Sequence, residues 1–150
     1  FSLDPHSPNI IAPGKRPAHT LNAFTAVHPD GSLYLVGGTP GANIQVQSNL
    51  QLLINVIDLK MNVQEATEAP RWQHLNAAGQ SSEEEKGAGV LEIENRVSAE
   101  VLEQLRAKGH EVKALSAWGH GSSVQMMEVL SNGTFAFGSD PRCEGHASGV

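Results

Sequence analysis

The sequence is poor in the residues that mark several classes of protein. Its 150 residues include a single cysteine, and aromatic residues make up only 5%. One cysteine excludes an internal disulfide and leaves the redox compartment open. No apolar run reaches the roughly 18 residues that a membrane-spanning helix needs. The chain is therefore expected to have no membrane partner, and both a periplasmic or extracellular and a cytoplasmic location stay open.

Positive charge is also scarce. Ten Lys and Arg residues stand against 16 Asp and Glu, for a net charge of −6, and the basic residues are scattered. A nucleic-acid interface needs clustered positive charge, so we expect no nucleic-acid partner. The seven histidines show no His/Cys/Glu spacing typical of a metal site. We expect neither a metal nor a cofactor.

Local patterns predict an α+β chain with two hairpins. Residues 28–31 (HPDG) and the pair Asn132-Gly133 are strong turn formers between β-prone runs. Residues 91–94 alternate apolar and acidic side chains, which predicts a half-buried strand. Residues 1–17 are expected to form an extended, irregular arm, and residues 76–89 a solvated loop.

Three helices are predicted between and after these strands. One begins at Ile44 and is expected to be buried between layers, because apolar residues recur at helical spacing. Asn62 and Glu65 resemble a capping box for a short second helix over residues 63–69. Ser98 caps a third helix, which Gly109 ends. This order favours helices layered on antiparallel strands over a parallel doubly wound sheet.

A glycine-rich stretch over residues 37–43 (GGTPGAN) lies between a strand-like run and the first helix. A turn that opens a helix presents free backbone N–H groups, which suit an anion or the negative charge of a transition state. The alternative is a tight turn that needs glycine only for its dihedral angles. Residues 119–123 (GHGSS) do not form a nucleophile elbow. The residues by themselves thus indicate one anion hole and no nucleophile or base.

Four motifs together resemble the γ-glutamyltransferase family. They are PGKRP at residues 13–17, GTPGA at 38–42, NVQEA with APR at 62–66 and 69–71, and GSDPR at 138–142. Their order and spacing are similar to those of the family's small subunit. The resemblance covers nearly the whole chain, and the loop at 76–89 fits it least well.

The resemblance implies part of an N-terminal-nucleophile hydrolase fold, an αββα sandwich. Family members are made as one precursor that cuts itself into a large and a small subunit, and the new N-terminal threonine is the nucleophile. Residues 1–150 are accordingly expected to be a single-domain piece, the C-terminal part of a small subunit. The nucleophilic threonine is not among them. The large subunit is the implied partner, and the chain alone is expected to be inactive.

The resemblance also implies roles for four residues. Gly41 and Ala42 match consecutive glycines whose backbone N–H groups form the oxyanion hole, and we expect Ala42 to lie in the first helical turn. His19 and Thr20 match a serine pair that binds the donor's α-carboxylate; the alternative for His19 is a loop histidine without ligand contact. The segment at 2–12 is short and resembles members without a lid loop, so the site should be open.

The function that the resemblance implies is hydrolysis or transfer of a γ-glutamyl group. The donor would be glutathione or a related γ-glutamyl amide, and the acceptor of the acyl group water or an amine. Because His19 replaces a serine, an amidase similar to cephalosporin or glutaryl acylases is a second reading. A non-catalytic homologue is a third.

Overall fold

The computed structural model describes residues 2–16, 22–75 and 89–148. These residues form two sheets, one of four strands and one of three, with three α-helices. In chain order the elements are β1 (Asn22–Val27), β2 (Leu33–Thr39), a 3₁₀ turn (Ala42–Ile44), α1 (Gln45–Ile57), α2 (Val63–Glu68), β3 (Trp72–Leu75), β4 (Val90–Glu94), α3 (Ala99–Ala107), β5 (Glu111–Leu115), β6 (Gln125–Val129) and β7 (Phe135–Ser139). None of these described helices has the length and apolar character to cross a bilayer. Residues 76–88 of the predicted solvated loop lie outside the described residues.

Both predicted hairpins are present and together make the four-stranded sheet. β1 pairs with β2 around the turn at 28–31, and β6 pairs with β7 around Asn132-Gly133. Gly31 and Gly133 have φ values of +86° and +81°, a region that glycine adopts without strain. β2 and β6 pair in the centre, giving the antiparallel order β1-β2-β6-β7.

Helices α1 and α2 cover one face of this sheet. The core between them is built from buried side chains of both layers: Leu35, Leu52, Val56, Val63, Ala66, Val124 and Met126. The predicted capping box begins α2. Asn62 Oδ1 accepts a hydrogen bond from Glu65 N at 2.9 Å, and Glu65 Oε2 accepts one from Asn62 N at 3.1 Å.

The apolar stripe of α1 was expected to be buried, and much of it is not. Val46 and Leu50 are 67% and 53% exposed, and Ile54 and Ile57 are exposed beside them. Leu52 and Val56 do reach the core. The prediction that α1 is buried between layers is therefore wrong for one side of the helix in the described chain.

Hydrogen bonds from two glutamine side chains to the backbone of β3 explain the orientation of α1. The side-chain amide of Gln51 donates to Trp72 O at 2.8 Å and accepts from Trp72 N at 3.0 Å. Gln47 makes the same pair of bonds with His74, at 3.0 and 2.7 Å. Two glutamines one helical turn apart thus satisfy the edge of β3 as a neighbouring strand would. These four bonds turn the polar side of the helix inward.

The second sheet, β3-β4-β5, differs from the sequence-based expectation. β3 and β5 were not predicted, and β4 runs parallel to β5 and antiparallel to β3. Parallel neighbours need a crossover, which α3 provides. The cap of α3 is as predicted, since Ser98 Oγ accepts from Val101 N at 3.3 Å and Gly109 has φ +92°. The β4–β5 pair is thus one parallel pair within a chain whose other strand pairs among the described residues are antiparallel, as predicted.

β4 is buried on both faces, not on one. Glu92 is 8% exposed and Glu94 is fully buried. Each acidic side chain has a cation: Lys113 Nζ lies 2.6 Å from Glu92 Oε1, and Arg142 Nη2 lies 2.6 Å from Glu94 Oε2. Because the charges are paired, alternation of acidic and apolar residues did not signal a solvent-facing side.

The N-terminal arm is irregular, as predicted, but it folds back on itself. Ser2 N donates to Asn9 O at 2.7 Å, and Lys15 Nζ donates to Pro8 O and Ile10 O at 2.9 Å each. The expected extended conformation is therefore wrong for residues 2–16.

Four charged side chains form a buried ion cluster: Arg71, Glu94, Asp140 and Arg142. Arg71 Nη1 donates to Asp140 Oδ2 at 2.8 Å, and Arg142 Nη1 donates to Asp140 Oδ1 at 2.9 Å. Arg142 also binds both oxygens of Glu94, through Nε at 2.7 Å and Nη2 at 2.6 Å. All four side chains are at most 2% exposed. Three of them come from the APR and GSDPR motifs.

Backbone groups complete the buried ion cluster. Arg142 donates to Thr67 O and Ala69 O, each at 2.9 Å, and Val124 N donates to Asp140 Oδ2 at 3.0 Å. Burial alone would raise the pKa of Glu94, but hydrogen bonds from Arg142 and from the Arg71 amide outweigh it and lower that pKa to about 2. Glu94 therefore stays ionised at neutral pH, and the cluster joins the end of α2 to both sheets.

Loss of one cation from the buried ion cluster should destabilise the protein strongly. Arg71→Met leaves a buried carboxylate with one partner fewer, and breaking a buried pair in this way costs about 3–5 kcal/mol. Arg106→Met is the control, because its pair with Glu103 is 43% and 72% exposed and is worth at most about 1 kcal/mol. Urea unfolding measures both changes. Equal, small losses in the two variants would contradict a structural role for the cluster.

Candidate active site

The glycine-rich stretch divides into a strand end and a short turn. Gly37 and Gly38 belong to β2 and pair with Phe24 and Ala23, so the turn does not begin at residue 37 as predicted. A Cβ on Gly37 would lie 2.7 Å from the Phe24 ring, which explains the glycine there. The chain then leaves the sheet through Pro40, Gly41 and Ala42, called the 40–42 turn below, and enters α1.

Left-handed backbone shapes the 40–42 turn. Gly41 has φ +131° and Ala42 has φ +48°. Gly41 O accepts from Ile44 N at 3.1 Å, and Ala42 O accepts from Gln45 N. Both carbonyl groups therefore point into the helix start. Among the described residues, the N–H groups of Gly41 and Ala42 have no acceptor, an arrangement that suits the binding of an anion.

The two positions of the turn tolerate substitution differently. A Cβ at Gly41 would lie 2.8 Å from Ile44 Cγ1 and 3.1 Å from Ser122 Cβ, so only glycine fits. Ala42 keeps its N–H, but its left-handed conformation costs roughly 1 kcal/mol. Ala42 does lie in the first helical turn, as the first residue of the 3₁₀ turn, but its own backbone is left-handed. Proline, whose ring holds φ near −65°, cannot replace it.

The other two predicted site residues, His19 and Thr20, lie outside the described residues. Their assignment to the donor's α-carboxylate stays a prediction. No group of three or more His, Cys, Asp or Glu side chains in the described part of the chain is placed to hold a metal ion.

A chain of polar side chains lies beneath the 40–42 turn, and sequence reasoning missed it. Ser122 Oγ lies 3.0 Å from His120 Nδ1 and 2.8 Å from Ser48 Oγ. Ser122 N also donates to His120 Nδ1 at 3.2 Å. Ser48, His120 and Ser122 are 0%, 4% and 1% exposed. Its signal in the sequence is the GHGSS stretch at residues 119–123, which contains both His120 and Ser122.

The buried ion cluster holds this chain of side chains. Arg71 Nη1 donates to Ser122 O at 2.9 Å, and His120 N donates to Glu94 Oε1 at 3.2 Å. Ser122 Oγ is directed at buried partners, not at open space, so Ser122 is not an accessible nucleophile. The cluster and the 40–42 turn are thus connected through Ser122.

His120 is neutral at physiological pH. Burial and then the positive charge of Arg71 lower its pKa to about 4, with Arg142 acting in the same direction and Glu94 opposing it. The backbone bond from Ser122 makes Nδ1 an acceptor, so the ring hydrogen is on Nε2. In the described structure Nε2 is buried without a partner.

An open cavity begins beside the 40–42 turn. It has a volume of about 620 Å³ and is lined by Pro40, by residues from all four strands of the four-stranded sheet, and by residues 143–147. Cys143 borders this cavity and is exposed. A small molecule has room on this side of the turn.

Comparisons with known proteins agree on one family. A sequence model described as gamma-glutamyltranspeptidase matches residues 1–150. The chain is 35% identical over 152 residues to the glutathione hydrolase proenzyme of Escherichia coli (strain K12), covering 95% of this chain and 24% of that protein. It is 35% identical over 153 residues to the oxamate amidohydrolase proenzyme of Klebsiella pneumoniae subsp. pneumoniae, covering 99% and 27%. The chain spans about a quarter of the length of these relatives.

A solved structure shows the same relationship. The gamma-glutamyltranspeptidase from Pseudomonas nitroreducens complexed with L-DON matches with a TM-score of 0.73 at 25% identity. The match covers 97% of this chain and 69% of that chain.

The protonation of His120 should make stability depend on pH in a defined window. The folded pKa, about 4, lies below the ordinary 6.5, so the unfolded chain binds more protons between these values. The free energy of unfolding should fall by up to about 3 kcal/mol as pH drops from 6.5 to 4. Glu94 has a pKa lowered from 4.5 to about 2, so the stability that it contributes is lost between pH 4.5 and about 2, mostly below the range in which His120 titrates.

His120→Asn isolates this effect, because asparagine accepts a hydrogen bond but does not titrate. Denaturant unfolding between pH 6.5 and 4 should show a flatter stability profile for the variant. A slope equal to that of the unchanged protein would show that His120 is not buried in its neutral form.

Proposed function

Because the chain belongs to the gamma-glutamyltranspeptidase family, we propose that it supplies the oxyanion-binding part of an enzyme that hydrolyses or transfers γ-glutamyl groups. Its fold class, part of an N-terminal-nucleophile hydrolase sandwich, is as predicted. The observation that carries the proposal is the pair of left-handed residues at Gly41 and Ala42, with both N–H groups left without an acceptor in the described chain.

The proposed reaction proceeds through an acyl-enzyme. A threonine Oγ from outside these 150 residues attacks the γ-carbonyl carbon of the donor, and its proton passes to the threonine's own α-amino group. The carbonyl oxygen becomes an oxyanion, which Gly41 and Ala42 stabilise through their N–H groups. Collapse expels the amine with that proton. Water or an amine then releases the γ-glutamyl group from the threonine.

The proposed partner is a large subunit cut from the same precursor. Support comes from the exposed apolar residues of α1, since Val46 and Leu50 are 67% and 53% exposed. Contiguous apolar surface of this kind is usually covered in an assembled protein. The names of both sequence relatives include the word proenzyme. On this proposal the 150 residues alone do not complete the active site.

The acyl group itself has a second candidate. The similarity to an oxamate amidohydrolase favours an amide without a γ-glutamyl group, and so does His19 where the family has a serine. Kinetics on matched donors separate the two: γ-glutamyl anilide on one side, and oxamate or a glutaryl anilide on the other. A higher kcat/KM for the γ-glutamyl donor supports the first candidate, and the reverse order supports the second.

Displacing the 40–42 turn should lower kcat in the full-length processed protein. Gly41→Ala forces a Cβ against Ile44 and Ser122, which moves the two N–H groups. Loss of one oxyanion donor costs about 10²–10³ in kcat, and KM should change far less because the bond strengthens as charge develops. Release of product from γ-glutamyl anilide measures both constants.

Two control variants make this result specific. Gly133→Ala places an alanine at φ +81° with nothing within 4 Å, so it adds backbone strain away from the turn and should leave kcat unchanged. Ala42→Gly keeps the N–H and relieves strain, so its kcat should stay close to that of the unchanged protein. A soluble, processed Gly41→Ala enzyme with near-normal kcat would show that the turn is only structural.

His19 should influence the choice of donor if it faces the α-carboxylate. A hydroxyl bound to a charged group contributes about 1.5–3 kcal/mol. His19→Ser should therefore raise kcat/KM for glutathione relative to a glutaryl amide by about tenfold or more. His110→Ser serves as the control. An unchanged ratio in His19→Ser would mean that His19 does not contact the donor.

A further inference from the structure

We propose that Ser122, held by His120 and Ser48, positions the 40–42 turn and thereby sets the rate of acyl-enzyme formation. The kinetic part rests on the proposed function; the structural part does not. These side chains are positioning residues, because they act on the N–H groups of Gly41 and Ala42 through the backbone.

The side chain of Ser122 packs directly against the backbone of Gly41. A Cβ on Gly41 would lie only 3.1 Å from Ser122 Cβ, and Ile44 closes the same space. The backbone of Gly41 is therefore packed directly on the Ser122 side chain. If the Ser122 side chain is displaced, the Gly41 backbone that packs on it should shift as well, and the two N–H groups shift with it.

The segment at residues 122–125 contacts the chain on both sides of the 40–42 turn. Before the turn, Gly38 pairs with Gln125 between β2 and β6. After the turn, Ser48 in the first turns of α1 bonds to Ser122 Oγ at 2.8 Å. The strand end and the helix start are thus attached to the same short segment, four residues long. The turn between them has little freedom to change its geometry.

Ser122 is itself fixed by its backbone and its side chain. Its carbonyl accepts from Arg71 at 2.9 Å, its N–H donates to His120 Nδ1 at 3.2 Å, and its hydroxyl lies 3.0 Å from the same nitrogen. His120 is anchored through its own N–H to Glu94. Side chains from three separate parts of the chain converge on one serine that has no solvent contact. Core packing alone would not need this set of directed bonds.

The test uses the full-length processed protein with γ-glutamyl anilide. Ser122→Ala keeps the Cβ that contacts Gly41 but removes the hydroxyl group. The side chain at position 122 then loses its hydrogen bonds to Ser48 and His120. Misplacement of a catalytic group by about 1 Å costs up to about 100-fold in rate, and we expect kcat to fall about tenfold with KM nearly unchanged. Thr67→Val is the matched control, because it removes another buried hydroxyl, which donates to Gln64 O at 2.8 Å, but keeps the Thr67 carbonyl group that Arg71 and Arg142 bind.

A conservative pair of variants tests the anchor at His120. His120→Asn retains an acceptor near the position of Nδ1, whereas His120→Leu has none. We expect kcat of His120→Asn to lie closer to that of the unchanged protein than kcat of His120→Leu does. A stabilising role without positioning would lower the melting temperature in both variants without this order in kcat.

A second measurement does not depend on activity. The ¹H–¹⁵N amide signals of Gly41 and Ala42 should shift in Ser122→Ala and stay in place in Thr67→Val. If the unchanged protein does not cleave γ-glutamyl anilide, the proposed function fails, and the amide shifts still decide the positioning role. Unmoved amide signals, or a kcat in Ser122→Ala equal to that in Thr67→Val, would overturn the proposal.

Discussion

Two arginines and two carboxylates lie out of contact with water where the ends of the two sheets approach each other. Burying such charges costs several kcal/mol each unless they are paired and hydrogen-bonded. Here Arg142 binds Glu94 through two atoms and Asp140 through a third, and Arg71 binds Asp140. The directional bonds fix the relative positions of α2, β4 and the chain after β7. Through Arg71 and Glu94 the same cluster holds Ser122 and His120, and Ser122 supports the 40–42 turn.

Local chemistry explains which elements were predictable. The turn at Asn132-Gly133 and the capping box of Asn62 and Glu65 depend on residues within a few positions, and both are present. β3 and β5 depend on partners far along the chain and were missed. The orientation of α1 was also missed, because Gln47 and Gln51 bond to the backbone of β3 more than 20 residues away. Hydrophobic periodicity cannot detect such bonds.

The candidate site divides in the same way. Gly41 and Ala42 could be proposed from the sequence because a glycine-rich turn between a strand and a helix is a local signal, to which the family resemblance assigns a role. The hydrogen-bonded side chains of Ser48, Ser122 and His120 beneath the turn were not predicted, because Ser48 and Ser122 are separated by 74 positions in the sequence. The APR and GSDPR motifs marked the family, but their physical reason, the buried ion cluster, required the fold. The GTPGA motif, in contrast, contains the two residues proposed to bind the oxyanion.

A structure with a bound transition-state analogue would show whether the N–H groups of Gly41 and Ala42 bind the oxyanion. A γ-glutamyl boronate bound to the full-length processed protein forms a tetrahedral adduct with oxygens where the oxyanion develops. We expect one adduct oxygen about 2.7–3.1 Å from the nitrogens of both Gly41 and Ala42. An adduct whose oxygens all lie beyond hydrogen-bond distance of these two nitrogens would contradict this expectation.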